Sequence, residues 1–323
     1  MKKLTLAISA IAAAFGAASA QADVSVSGSG SAAYIAPAGS SADSKLNVGQ
    51  FVSFSMSTTT ASGMTISGGM GLSKSVTKDA SPAVTGGQSL TFATGGATIV
   101  VGDVEAGDTP GSVGGAVGSA IGEQGAFNSK VEDGFADDDG LGISLSTAIG
   151  GSSLKVVYIG NDDTNAVGEL NSSASGDDAL TSASITVPMG AYTITAGVAD
   201  SDTGESASGA SVAAALGGGT LTVGYSNQTL VDTVSDATTS DLSADGDTTS
   251  MGATYAMSLD ADTSVSIGLQ NRKDADDDSS SQFDASVSRS LGGGASVFLD
   301  IRSLTGDATV KGSAVAVGTS VSF

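Results

Sequence analysis

Apolar side chains recur at every second position in runs of about ten residues along most of this chain. The segment before Phe323 shows the pattern most clearly. Val315, Val317, Thr319, Val321 and Phe323 share one side, and Ala314, Ala316, Gly318, Ser320 and Ser322 the other, because successive strand side chains point to opposite faces. The same parity groups Val52, Phe54 and Met56, then Met64, Ile66, Met70 and Leu72, then Leu141, Ile143 and Leu145. Further along it groups Leu221, Val223 and Tyr225; Met251, Ala253, Tyr255, Met257 and Leu259; Val265, Ile267 and Leu269; and Val297, Leu299 and Ile301. Opposite positions carry Ser, Thr and Gly, as at Thr65, Ser67, Gly69 and Gly71, or Gly142, Ser144 and Ser146. Each run predicts a strand with one apolar face and one small, mostly polar face.

The gaps between runs alternate in length. Short ones fall at Ala61–Gly63, Thr94–Gly96, Gly150–Gly151, Pro188–Gly190, Gly217–Gly219, Asp260–Asp262 and Gly292–Gly294, where Gly and Asp suit tight hairpins. Long ones fall near 36–46, 74–88, 103–139, 160–179, 200–207, 228–248, 273–280 and 304–311 and hold most of the Asp. The count is about sixteen strands, an even number, joined up and down as in a closed transmembrane barrel with an apolar outside and a polar lumen. Ten residues tilted near 45° span about 23 Å, close to the apolar band of such barrels. Tyr34, Tyr158 and Tyr225 fall near the loop ends, and Tyr192 and Phe323 near the turns, as two sparse aromatic girdles. Secreted adhesins and β-solenoids also contain alternating strands, but the calcium-binding nonapeptide repeat of such solenoids is absent.

Lys2 and Lys3 precede an apolar run from Leu4 to Ala18 and a small-x-small site at Ala20–Ala22. This predicts a cleaved secretory signal peptide over 1–22 and a mature barrel over 23–323. No later stretch approaches the roughly 20 apolar residues of a membrane helix. The chain has no Cys, His or Trp, which removes disulfides, thiolate and imidazole metal sites, and Ser-His-Asp or zinc hydrolysis. No apolar, aromatic-lined setting for a pair of catalytic carboxylates is visible. After residue 22 the charges are 10 basic against 34 acidic, a net of −24, which repels nucleic acid. Hydrophobic content of 40% with mean hydropathy of +0.19 argues against disorder.

These features together resemble a bacterial outer-membrane general-diffusion porin of the alphaproteobacterial type, over the whole of 23–323. The resemblance rests on the leader, the strand count, the final Phe323, and one very long loop after a strand ending Ile99-Val-Val-Gly-Asp103. It implies an outer-membrane homotrimer of water-filled pores passing small hydrophilic solutes and ions, with the third loop folded inward to narrow each channel. It also implies that the terminal aromatic, Phe323, is an assembly signal.

The third loop holds Asp103, Glu105, Asp108, Glu123, Glu132, Asp133, Asp137, Asp138 and Asp139 against Lys130 alone. It reads either as a hydrated acidic surface loop or as a constriction whose carboxylates concentrate cations. The constriction candidates are Asp103, Glu105, Asp108, Glu123, Glu132, Asp133 and Asp137. The facing basic cluster seen in many porins is sparse here. Arg272, Arg302 and Lys155 have lumen parity, and Lys155 and Arg302 are the candidates carried over. Lys155 would take Val157 and Ile159 inward with it. Arg289 has the outward parity of Phe283, Ala285 and Val287, close to a short turn, where it would reach headgroups or mark a bulge. The runs Asp137-Asp138-Asp139 and Asp274-Ala-Asp-Asp-Asp278 invite a structural calcium ion, without EF-hand spacing. The expected function is a passive, cation-preferring pore and not an enzyme. The alternatives are a substrate-selective outer-membrane channel and, from another class, a secreted adhesin or surface-layer protein.

Overall fold

The computed structural model describes residues 23–38, 44–75, 83–85, 89–105, 139–160, 179–202, 204–230, 246–273, 275, 277–306 and 312–323. The expected leader and residues 106–138 of the third long loop lie outside them. The described residues form strands β1 (Asp23–Ala38), β2 (Lys45–Thr59), β3 (Thr65–Ser75), β4 (Ala83–Thr85), β5 (Ser89–Ala93) and β6 (Ala97–Glu105). There follow β7 (Asp139–Ile149), β8 (Ser152–Ile159), β9 (Leu180–Met189), β10 (Tyr192–Ser201), β11 (Ser206–Leu216) and β12 (Gly219–Leu230). The set ends with β13 (Gly246–Ser258), β14 (Thr263–Lys273), β15 (Ser279–Gly292), β16 (Ala295–Gly306) and β17 (Gly312–Ser322).

Strands pair antiparallel with their neighbours along the chain, with one exception. Both β4 and β5 lie along β3, opposite Gly71–Ser73 and Thr65–Gly68 respectively, so they are two pieces of one stave. That leaves the sixteen staves read from the sequence. The sheet closes where β1 pairs with β17, from Ser29 opposite Ser322 to Ala38 opposite Ser313. Two backbone bonds extend this seam: Gly28 N–H donates to Phe323 O at 2.8 Å, and Phe323 N–H to Gly28 O at 3.0 Å. Closure satisfies backbone groups that lipid cannot hydrate. The seam needs Gly28 for a second reason. A Cβ there would lie 2.6 Å from the Phe323 ring, which rests over that position on the outer surface.

Turn chemistry explains the short connections. Gly150 and Gly151 both have positive φ, 58° and 90°, the conformation that a two-residue hairpin requires. The turn between β13 and β14 has no glycine and uses a carboxylate instead. Asp260 Oδ1 accepts N–H bonds from Asp262 at 2.9 Å and Thr263 at 2.7 Å. Those bonds hold the Asp260 pKa below its ordinary value, led by the bond from Asp262. At the neighbouring turn a bulge falls between Ser290 and Gly292, which bends the end of β15.

Register keeps the faces separate over the whole circumference. Tyr34 pairs with Val317, Val317 with Leu299, and Leu269 with both Ala253 and Phe283. This outer belt is apolar and exposed, with Leu269 at 58% and Val317 at 53%. Tyr34, Tyr158, Tyr192, Tyr225 and Phe323 all lie on it and are more than half exposed or close to it. On a protein that met only water such a surface would be unstable.

Candidate functional site

The functional surface of a closed barrel is its inner wall, whose residues are those out of phase with the apolar belt. Its character changes along the strands. Toward the short turns the inward side chains are mostly hydroxyls that bond across one rung: Ser25 with Ser55 at 2.6 Å, Ser27 with Ser53 at 2.6 Å, Ser296 with Ser320 at 2.7 Å, and Thr186 with Thr195 at 3.1 Å. They are half-buried or exposed. Here the wall opens into a recess lined by Thr220, Ala256, Ser264, Ser266 and Ser286, among others.

At mid-strand and toward the long loops the inward side chains are larger and buried. On β14, β15 and β16 they form a continuous polar network. Gln282 Nε2 donates to Gln270 Oε1 and to Asp284 Oδ2, each at 2.8 Å. Arg302 donates from Nε to Asp284 Oδ1 at 2.9 Å and from Nη2 to Asp284 Oδ2 at 3.3 Å. This two-pronged pairing fits the planar fork of a guanidinium. Asp284 is 1% exposed and Arg302 2%, so each relies on the other for neutralisation. One rung away, Ser286 Oγ donates to Asp300 Oδ1 at 2.6 Å.

Two other arcs of the same inward surface are apolar. Ile35, Leu304, Ala314 and Ala316 form one buried cluster with Phe298 packed against it. Val104, Val157, Ile159, Leu180, Ala199 and Ala207 form the other, with Val100 alongside. The lumen face is therefore not uniformly small and polar, as the alternation suggested. Lys155 does have inward parity, half-buried between Ser146 and Ser184 in the ladder, and it does take Val157 and Ile159 inward.

The ladder corrects one constriction candidate. Asp103 sits opposite Leu141 at the outward parity of Ile99 and Val101, and Val104 is the residue that turns inward to be buried. The strand continues past Asp103 to Glu105, two residues beyond the end read from the sequence. Glu105 and Asp139 are partners on the last rung between β6 and β7. Asp108, Glu123, Glu132, Asp133, Asp137 and Asp138 lie outside the described residues. Among the described residues no group of three or more carboxylates could hold a metal ion. Arg272 is inward and 5% exposed. Arg289 is outward, donates from Nη1 to Thr263 Oγ1 at 3.1 Å, and lies 3.8 Å from Asp260 Oδ2, one residue before the bulge.

Asp284, Asp300, Gln270 and Gln282 were not singled out from sequence. Their signal was present, because Asp284 lies between Phe283 and Ala285 and so must face inward. Identifying its partner required the β15–β16 register.

The comparisons with known proteins agree with this architecture. A family model described as Gram-negative porin matches residues 7–309. No curated protein matches the chain by sequence. Among solved structures, the anion-selective porin from Comamonas acidovorans superposes with a TM-score of 0.65 at 12% identity, covering 94% of this chain and 100% of that one. A porin refined at 1.8 Å gives 0.65 at 16% identity, covering 93% and 100%. A mutant of the Rh. blastica porin gives 0.62 at 15% identity, also covering 93% and 100%. At such identities these likenesses speak for the fold, whereas the family match covers most of the chain. Taken with a closed barrel whose apolar belt faces out and whose wall carries the polar groups, it places the chain in the Gram-negative porin family, as an outer-membrane diffusion channel and not an enzyme.

Proposed function

We propose that this channel passes small hydrophilic solutes without tight selection, prefers cations, and works as a homotrimer after removal of residues 1–22. The observation that carries the cation preference is the Asp284–Arg302 pair. The most prominent inward guanidinium is already neutralised by a carboxylate on the next strand. With Asp300 set against Arg272 and Lys155, the described wall is close to charge balance. Selectivity then falls to the segment 106–138, which carries Asp108, Glu123, Glu132, Asp133, Asp137 and Asp138 against Lys130. Carboxylates near a water-filled constriction raise the local cation concentration. The preference is modest, because the screening length at physiological salt is about 8 Å, comparable to a wide pore's radius.

Planar-bilayer reversal potentials across a salt gradient test this directly. The wild-type potential should have the cation-selective sign. Replacing Glu123, Glu132, Asp133 and Asp137 together by Gln or Asn should move it toward zero, more at low salt than at high salt. An unchanged potential, or an anion-selective wild type, overturns the reading. The mass of the detergent-extracted channel before and after boiling tests the trimer.

A further inference from the structure

Arg289 is the one basic residue on the outward face at the short-turn end among the described residues. It lies between Val287, 39% exposed, and Leu291, 61% exposed, with Leu259 at 60% on the adjoining turn. A charge near the middle of this belt would be costly to assembly, but close to the interface that cost nearly vanishes. Placement alone therefore explains why an arginine is tolerated. It does not explain its neighbours.

The guanidinium is pinned, not free to sweep the interface. The ladder sets Arg289 opposite Thr263, whose hydroxyl accepts from Nη1, and Ser290 N–H donates to Asp262 O at 2.8 Å, tying the turn to β15. Beside it stands the Asp260 carboxylate, 3.8 Å away and about half exposed. Asp260 is itself fixed by the two N–H bonds of its turn and by the Thr263 hydroxyl, which donates to Oδ2 at 3.2 Å. One positive and one negative group thus stand side by side above an apolar surface. A lone phosphate approaching Arg289 would be repelled by Asp260 and Asp262. A phosphate carrying a primary ammonium two carbons away would meet an opposite charge at each end.

We propose that Arg289 and Asp260 form a headgroup site for a phospholipid of the phosphoethanolamine class, phosphate on Arg289 and ammonium on Asp260, its acyl chains lying over Leu259, Val287 and Leu291. The proposal rests on the family reading in two respects: the belt faces lipid, and the short turns of such barrels lie at the periplasmic side. Of Arg289's donors, Nη1 is taken by Thr263, and the rest of the fork remains for a phosphate, which suits its two-pronged geometry. An ammonium donates three bonds and suits a carboxylate that is about half exposed. A choline headgroup donates none, and a glycerol headgroup brings no positive charge.

The test is native mass spectrometry of the refolded barrel released from detergent, titrated with dihexanoyl phosphatidylethanolamine, phosphatidylglycerol, phosphatidylcholine, or free phosphoethanolamine. Wild type should retain the ethanolamine lipid about tenfold more tightly than the choline lipid, the loss expected for a charge-assisted bond. Arg289→Gln should lose that binding by a similar factor while keeping wild-type single-channel conductance, which separates failure of the lipid site from failure of the channel reading. Asp260→Asn retains an oxygen for the turn's N–H groups and drops the charge, so it should bind glycerol and ethanolamine lipids alike. If Arg289→Gln does not assemble, Arg289→Lys takes its place and should lose most of the tight binding with the fork. Equal lipid retention by wild type and the Arg289 variant, or free phosphoethanolamine binding as tightly as the lipid, overturns the proposal.

Discussion

Toward the short turns the inner wall is held by single rungs, such as Ser27 to Ser53 and Ser296 to Ser320. Toward the long loops β14, β15 and β16 carry Gln270, Gln282, Asp284 and Arg302 in a network in which every member is at most 6% exposed. The antiparallel ladder runs through both halves, so the contrast lies in the side chains. Water can replace a lost partner at an exposed hydroxyl, whereas a buried ion has nothing else to turn to. The two halves of one wall therefore suit different tasks. The turn half stays wet and open, and the loop half fixes one ion pair and its hydrogen bonds along the β14–β16 wall.

The sharpest way to break this comparison is to remove one ion. Asp284→Ala leaves Arg302 buried without its carboxylate and should cost about 3–5 kcal/mol. Ser27→Ala, in the other half, should stay within about 0.5 kcal/mol. Denaturant titration, followed by the heat-modifiable gel shift of the folded barrel, reads both. Similar costs for the two would show that the loop-half network is no more committed than the hydroxyl rungs.

The next effect contrasts the faces of one strand. Leu269→Arg puts a charge in the lipid belt and should impair assembly by about 2–4 kcal/mol near the bilayer midplane. Ser266→Arg, on the inward face in the open half, should assemble and lower single-channel conductance. Reversal of the two outcomes would put the faces the wrong way round.

The smallest expected effect belongs to the turn itself. The pKa of Asp260 is lowered on folding, so its contribution to stability is present above the unfolded carboxylate value, about 3.9, and fades as pH falls through the folded value. The stability gap between wild type and Asp260→Ala should thus be small at neutral pH and shrink further in strong acid. A gap that widens on acidification would contradict the turn's hydrogen-bond pattern.

Much of the fold was legible because a barrel writes its rules locally. Gly150-Gly151 and Gly217–Gly219 mark hairpins by their own conformational freedom, and a belt such as Met251, Ala253, Tyr255 and Met257 declares its face by parity alone. The candidate site was less legible for two physical reasons. Parity says that Asp284 and Arg302 face inward, but their meeting depends on a register that the bulge at Ser290 and Gly292 alters. Parity also says nothing about which inward positions are covered, so Ile35, Leu304, Val157 and Ile159 could be apolar on a lumen wall without any outward sign. The sequence placed the end of β6 at Asp103, yet the β6–β7 ladder runs on to Glu105 and Asp139.

The seam between Gly28 and Phe323 joins positions almost three hundred residues apart. Loop-closure entropy for such a contact must be met before the contact returns anything, so closure belongs to the slow end of folding. Until it forms, β1 and β17 are both unpaired edges, and sixteen staves of alternating apolar residues are an open template for aggregation. A net charge of −24 after residue 22 opposes that fate by keeping unclosed chains apart. That acidity thus acts before any pore exists, as the means by which the waiting chain stays in solution.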